Sequence, residues 1–292
     1  MSVEEQTKAP AVSVPVDLVH LTRIGQRPGL ADYLVQLWDR RSFILFDAQA
    51  RVQGGNEKNF LGSAWLVLTP ILTGLSFYLV FGLLLNTSKG IENFLGYLVI
   101  GVFTFQMTTR SILDGAKSLT GNTSMIRAFQ FPRAALPIAI NVREFLANIP
   151  VVLVMLLLII FIAPAEEISW RWLLILPALG LQFLFNLGIG MLLARPLLKI
   201  PDVGMLLSFF MRLWMYTSAV FFAETKFDSV PIIKHIMDVN PLFLIIKIIR
   251  DSVLYAATPS WRSWAIVSLW ALGSLIVGLI VFWRGEESYG RA

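Results

Sequence analysis

Long apolar runs dominate the chain and recur at lengths that suit a lipid bilayer. A helix needs about 20 apolar residues to cross the hydrocarbon core, and six segments meet or approach that length. The first runs from Gly62 to Leu85 and the second from about Asn93 to Thr109. The fourth, fifth and sixth cover about Trp172 to Ala194, Gly204 to Ala223 and Trp264 to Trp283. The third ends in an apolar run from Pro150 to Ala163 that is too short alone, so its helix must begin earlier, near Ile138. This placement draws Arg143 and Glu144 into or beside the membrane, and Arg212 lies within the fifth segment. The predicted fold is all-α: a polytopic membrane protein with six transmembrane helices over residues 62–284.

Two regions outside the spans carry their own pattern. Leu30 to Asp47 reads as an amphipathic helix, with Leu30, Leu34, Leu37 and Trp38 on one face. It suits a helix lying in the headgroup layer; the alternative is a small helix packed on its own protein. With its connector it forms a predicted unit over residues 30–61. The second region, Glu224 to Ser263, is too long for a simple loop. Its apolar runs are broken by Pro231, Asp238, Asn240, Pro241, Lys247 and Arg250. It predicts two short helices hinged near Asn240–Pro241, either re-entrant or lying at the outer surface. Non-helical backbone at membrane depth needs shelter from protein or a water-filled cavity, so the re-entrant form would mark a translocation path and the other a packed cap. Residues 1–29 are polar and proline-bearing, without the apolar core of a cleaved signal, and read as a flexible tail. Residues 285–292 read as a second, short tail.

Composition agrees with the pattern. The chain is 56% hydrophobic and 15% charged, with mean hydropathy +0.70; soluble domains carry roughly 25% charged residues. The net charge of +5 comes with no basic cluster or nucleic-acid motif, so no nucleic-acid partner is expected. With both termini inside, the inner segments hold fifteen Lys and Arg and the outer ones seven, with Arg143 and Arg212 in the membrane. Cytoplasmic segments carry the excess of positive charge, which sets both termini in the cytoplasm.

The chemistry of catalysis is missing. There is no cysteine, and His20 and His235 lie far apart, so no thiolate nucleophile, disulfide framework or metal site is expected. Gly115-Ala116-Lys117-Ser118 fails the phosphate-cradling pattern, which needs glycine directly before the lysine, where Ala116 stands. No HExxH or GxSxG occurs. No catalytic residue is assigned, and energy for any uphill work must come from a partner or an ion gradient. Charges inside spans are costly and mark function or pairing. Glu144 and Arg212 are read as neutralising each other between the third and fifth helices. With Glu144 the single carboxylate in the spans, an ion-coupled carrier is disfavoured. The fifth span is aromatic, and Phe210, Trp214 and Phe221 fall at spacings of four and seven, which predicts a shared face. Such faces stack on sugar rings; the alternative is ordinary helix packing and an interfacial aromatic belt.

Several local patterns carry a resemblance. Arg51 to Pro70 leads through Leu61-Gly62 and Trp65 to a proline inside the first span, which ends at Phe81-Gly82. After the second span, Asn122 to Pro137 contains Phe131-Pro132-Arg133 and a later Leu-Pro. Asn240-Pro241-Leu242 is followed by Arg250. In their order and spacing, over about Leu30 to Arg284, these resemble the type-2 ABC exporter permeases, in particular those exporting bacterial polysaccharide, O-antigen and teichoic acid. The chain departs from that pattern at Gly54-Gly55-Asn56-Glu57, where the family has a more continuous basic run.

The resemblance implies a permease subunit of the bacterial inner membrane that pairs with a second copy of itself and with two P-loop ATPase subunits. Those subunits would bind ATP and Mg; this chain would carry no cofactor. The substrate would be a lipid-linked glycan, moved outward among membrane lipids. Phe77, Phe81, Phe210, Trp214, Tyr216 and Phe221 would line its path. Leu34, Trp38, Arg127, Phe131, Pro132 and Arg133 would receive the ATPase motion, with Arg127 and Arg133 touching the ATPase or the lipid diphosphate. Arg143, Glu144 and Arg212 stand as the intramembrane charges. A drug or small-lipid exporter on the same scaffold and a non-transporting membrane scaffold are the alternatives, because fold does not dictate function.

Overall fold

A computed structural model describes residues 28–54, 62–77, 79–80, 84, 91, 93–129, 131–161, 166, 168–223 and 230–289, without the side chains of Gln53, Ser63, Leu66 and Phe77. The N-terminal tail, the Gly55–Leu61 connector and Phe81-Gly82 therefore lie outside the described residues, as does the Phe77 side chain.

All regular structure among the described residues is helical. The helices are α1 (Leu30–Asp39), α2 (Arg41–Gly54), α3 (Trp65–Phe77), α4 (Phe94–Ala116), α5 (Thr123–Ala128), α6 (Ala135–Phe161), α7 (Ile175–Lys199), α8 (Val203–Thr217), α9 (Pro231–Val239), α10 (Pro241–Val253) and α11 (Trp261–Arg284). A 3₁₀ turn, Trp170–Leu174, leads into α7. Three stretches are long and apolar enough to cross a membrane: α6, α11 and Trp170–Lys199. Val67–Ser76 within α3 and the whole of α8 are shorter apolar helices.

Polar caps mark the starts of α4 and α11. Asn93 accepts from the Gly96 N–H at 2.8 Å to begin α4, and Ser260 accepts from Ser263 to begin α11. Such caps satisfy orphan donors of the first turn. Helix α4 lies at the centre. Leu98, Val99, Ile100 and Ile112 on it are wholly buried, and it packs against α6, α7 and α10. Its partner α7 runs parallel to it: Gln182 donates to the Thr104 carbonyl and the Thr108 hydroxyl, both at 2.8 Å, and two turns on Gly190 meets Gly115. Helix α7 also packs closely on α11, where a Cβ at Gly188 or Gly278 would strike the facing backbone. Small residues let helix backbones approach in membranes.

Three expectations need correction. First, Leu30–Asp47 is not one helix. The chain turns at Arg40, whose N–H is shared between the Gln36 and Leu37 carbonyls. The turn lets Tyr33 and Leu37 on α1 and Ile44 and Ala48 on α2 all bury, with Tyr33, Leu37 and Ile44 joining one cluster with the start of α6. Of the predicted apolar face only Leu37 is buried; Leu30, Leu34 and Trp38 are exposed, Trp38 at 69%.

Second, the fifth segment stops at Thr217, not Ala223. Ala219 takes a positive φ of 49°, a left-handed conformation that breaks an α-helix for an L-residue. Phe221 thus lies beyond the helix and cannot share a face with Phe210 and Trp214.

Third, Glu144 does not pair with Arg212. It pairs with its neighbour Arg143 at 2.8 Å, and Arg143 also reaches Asp114 on α4 at 3.1 Å. Position 212 lies on the exposed face of α8, and among the described residues no carboxylate pairs with it. Sequence proximity and the α4–α6 packing won over the longer-range pairing.

The hinge expected near Asn240–Pro241 is present: α9 ends and α10 begins there. Helix α10 is buried, with Leu242, Ile245, Ile246, Ile248 and Ile249 all at the core.

Candidate transport and coupling surfaces

The first surface is built on α8. Met205, Leu206, Phe209, Phe210, Leu213 and Tyr216 are exposed along it, Phe210 at 55%. Phe209 and Phe210 meet edge to face. This is a largely apolar face, interrupted by exposed Arg212, that the described residues leave uncovered. Helices α6 and α11 also expose apolar side chains, as lipid-facing helices do; the face of α8 differs in its aromatic content. Two predicted path residues stay out of it. Trp214 is half-buried, packed edge-on to Phe105 and Phe185, with its indole N–H donated to Asn240 Oδ1 at 2.9 Å. Phe221 is 2% exposed and sits in the core.

Asn240 explains why α8 ends where it does. Its Oδ1 caps α10 through the Leu242 N–H and takes the Trp214 N–H, while its Nδ2 donates to the Ser218 hydroxyl at 3.0 Å. One side chain therefore fixes the end of α8 to the hinge. Arg250 completes the junction. It is 4% exposed and donates to the carbonyls of Tyr97, Ala219 and Val220. The Tyr97 hydroxyl donates to the Ala219 and Phe222 carbonyls. The Ala219, Val220 and Phe222 carbonyls after α8 are thus satisfied by side chains, as buried backbone requires.

The second surface lies at the end of the bundle where the start of α1 meets the turn after α11. Here α1, α5 and the turn into α6 come together. On α1 and α2, Leu34, Val35, Trp38, Leu45 and Phe46 are exposed. Arg127, at the end of α5, is exposed, and Phe129 just beyond it is 66% exposed. Phe131 is half-buried and Pro132 buried. The predicted residues Leu34, Trp38 and Arg127 are thus on the surface. Arg133 is not available to an outside partner in the same way, because its guanidinium donates to the backbone carbonyl of Glu286.

Sequence reasoning missed Glu286, Tyr33 and Tyr289. Residues 285–289 pack on the bundle: Glu286 is buried in a 3₁₀ turn, Glu286–Ser288, and Tyr289, just after it, is buried too. Tyr33 donates to Glu286 Oε2 at 2.8 Å and accepts from the Ala134 N–H at 3.0 Å. Glu286 Oε1 accepts from the Arg133 N–H at 2.9 Å. Tyr289 stacks on Phe282 and donates to its carbonyl. Burial pushes the Glu286 carboxyl above the usual glutamate range, against the pull of the Arg133 and Tyr33 hydrogen bonds. Burial likewise raises the Tyr33 and Tyr289 hydroxyls, with the Glu286 charge adding to both. No hydropathy period singles out these residues; only the docking of three distant segments brings them together. Phe129, two residues before Phe131 in the same loop, was not singled out either.

With both surfaces placed, comparison with known proteins decides the class. The model for "ABC-2 type transporter" matches residues 52–254, well over half of the chain. The chain belongs to the ABC-2 type transporter family. It is therefore a transport membrane subunit and not itself a catalyst, in a family whose ATP hydrolysis resides on a separate ATPase subunit. Among its relatives are two O-antigen export system permease proteins, RfbA, of Klebsiella pneumoniae. They are 27% and 25% identical over 230 residues, covering 77% of this chain and 85% of each relative.

Proposed function

We propose that this chain is the membrane subunit of an exporter for a lipid-linked glycan of O-antigen, teichoic-acid or galactan type, acting in the bacterial inner membrane. Two copies would pair with two ATPase subunits, which bind ATP and Mg, and the glycan would pass from the cytoplasmic to the outer side. The observation that carries this reading is the exposed aromatic face of α8, beside the relatives' name as O-antigen export permeases. The exposed aromatic rings of Phe209, Phe210 and Tyr216 beside Leu213 would pack against lipid, a second copy or a substrate with apolar C–H faces, and the aromatic content favours the last. Sugar rings offer such faces, and aromatic side chains pack against them with a large apolar contact.

In this reading the six expected spans are α3, α4, α6, α7, α8 and α11, with both termini cytoplasmic and α1 and α2 at the inner headgroup layer. Helices α9 and α10 would form the hairpin on the outer side. The cytoplasmic contact with the ATPase would then involve α5, Arg127 and Phe129, with Leu34 and Trp38 of α1 facing lipid or partner.

The experiment is a pull-down of the tagged chain from mildly solubilised native membranes, followed by an ATPase assay on the eluate. A co-purifying P-loop ATPase, lost from the eluate on Phe129→Asp, supports the exporter reading. A clean and inactive eluate in several mild detergents overturns it.

A further inference from the structure

Helix α6 begins without a cap of its own. Its entry reads Phe131-Pro132-Arg133-Ala134, with no Ser, Thr, Asp or Asn to accept from the first N–H groups, the usual solution for a helix start. The Ala135 and Leu136 N–H groups turn back on the Pro132 and Arg133 carbonyls. The two N–H groups just before the helix, those of Arg133 and Ala134, are taken by Glu286 Oε1 and the Tyr33 hydroxyl. The entry to α6 is therefore held by two other segments, one 101 and one 153 residues away. A carboxylate at a helix N-terminus also meets the positive end of the helix dipole.

The same two side chains bind each other at 2.8 Å, and the Arg133 guanidinium closes the circuit on the Glu286 carbonyl. Trp283 adds a parallel tie, donating to the Pro28 carbonyl just before α1 at 3.1 Å. Tyr33 is 1% and Glu286 8% exposed, so water does not compete for these bonds. Hydrogen bonds of this kind tolerate only small displacements. Helix α1, the turn into α6 and the turn after α11 must therefore move as one body.

We infer that Tyr33 and Glu286 are positioning residues that join the C-terminal turn and the amphipathic helix α1 to the start of α6, so that motion imposed on the α5–α6 loop reaches the bundle and the headgroup layer together. This rests on the transport reading, in which that loop meets the ATPase. A helix lying in the headgroup layer without such a joint would slip when the loop is pushed, and hydrolysis would proceed without export.

The test uses Tyr33→Phe, which removes one hydroxyl, and Glu286→Gln, which keeps the side-chain volume, in the full chain. The chain has no cysteine, so Gln36→Cys on α1 and Ser124→Cys on α5, both exposed, accept spin labels without background. Pulsed electron resonance on the purified labelled chain should give a narrow distance distribution, and a broad one in either variant. In cells lacking the native copy, the variants should keep membrane abundance and ATPase activity of the co-purified complex. Glycan exposed at the surface per ATP hydrolysed should fall about tenfold, the scale of one lost hydrogen bond to a charged group. The double variant should be no worse than the singles, because both remove one network. An unchanged distance distribution in both variants overturns the joint, and an unchanged ratio of export to hydrolysis overturns its role in coupling. A native chain with a narrow distribution but no ATPase and no glycan export overturns the transport reading instead, so the two failures appear in different samples.

Discussion

Arg250 is held by Tyr97 from two directions. Its guanidinium carbon lies 3.2 Å from the centre of the Tyr97 ring, and its nitrogens donate to the Tyr97 carbonyl at 2.8 and 3.2 Å. The pair is 153 residues apart in sequence and sits where α4, α10 and the segment after α8 converge. A planar fork with five donors can serve several carbonyls while stacking on a ring; an ammonium cannot. Arg250→Leu should cost roughly 3 kcal/mol, since it strands buried carbonyls that had a charged donor. Arg250→Lys should recover less than half of that. Thermal unfolding of the purified variants in detergent reads both.

The close approach of α7 and α11 gives a paired prediction. Gly188→Ala places a methyl against the Ser274 and Leu275 backbone and should destabilise by about 1–3 kcal/mol through overpacking. Gly273→Ala meets nothing within 4 Å and should stabilise by about 0.5–1 kcal/mol, as alanine for glycine inside a helix does. Unfolding midpoints measured side by side check the contrast. Equal effects would mean the two helices do not pack at Gly188.

On α8, stability and export should separate. Phe210→Ala and Tyr216→Ala truncate exposed rings and should leave membrane abundance intact while lowering surface glycan. Trp214→Ala removes the Asn240 partner and two ring contacts and should lose roughly 2–4 kcal/mol of stability. Fluorescence-detected size exclusion beside cell-surface glycan labelling distinguishes the outcomes. Full export by Phe210→Ala and Tyr216→Ala would remove the aromatic path from the reading.

The charges inside the bundle differ in what they hold. Arg143→Leu strands Glu144, whose side chain is 11% exposed, and should cost roughly 1.5–3 kcal/mol. Arg212→Leu, on the exposed face of α8, should change the stability of the single chain by less than about 0.5 kcal/mol. Measuring both on the chain alone, before any partner is added, isolates their own contribution.

Glu286 makes the fold sensitive to pH. Burial raises its folded-state pKa above the unfolded value of about 4.3. Between those two values the folded chain holds a proton that the unfolded chain has released, so stability falls as pH rises through the window. Its contribution is complete below the unfolded pKa and lost above the folded one. Glu286→Gln should flatten the dependence of unfolding temperature on pH across that window; an unaltered slope would place the titration elsewhere.

The apolar runs by themselves determined the all-helical membrane class, the long helices α6, α7 and α11, and the Asn240–Pro241 hinge. Each depends on local composition: a run of apolar residues needs lipid or core, and proline and asparagine start helices through their own backbone chemistry. The same logic reached into the two surfaces only as far as individual exposed residues, such as Phe210 and Trp38. Packing decided the rest. The turn at Arg40 exists because Tyr33 and Ile44 bury on one cluster, and α8 stops at Thr217 because Arg250 and Asn240, from distant helices, satisfy the backbone beyond it. Glu144 took its sequence neighbour Arg143 over Arg212, with Asp114 brought beside them by the α4–α6 packing, and Glu286 came to hold the entry to α6, because contacts made only by packing leave no periodic trace along the chain.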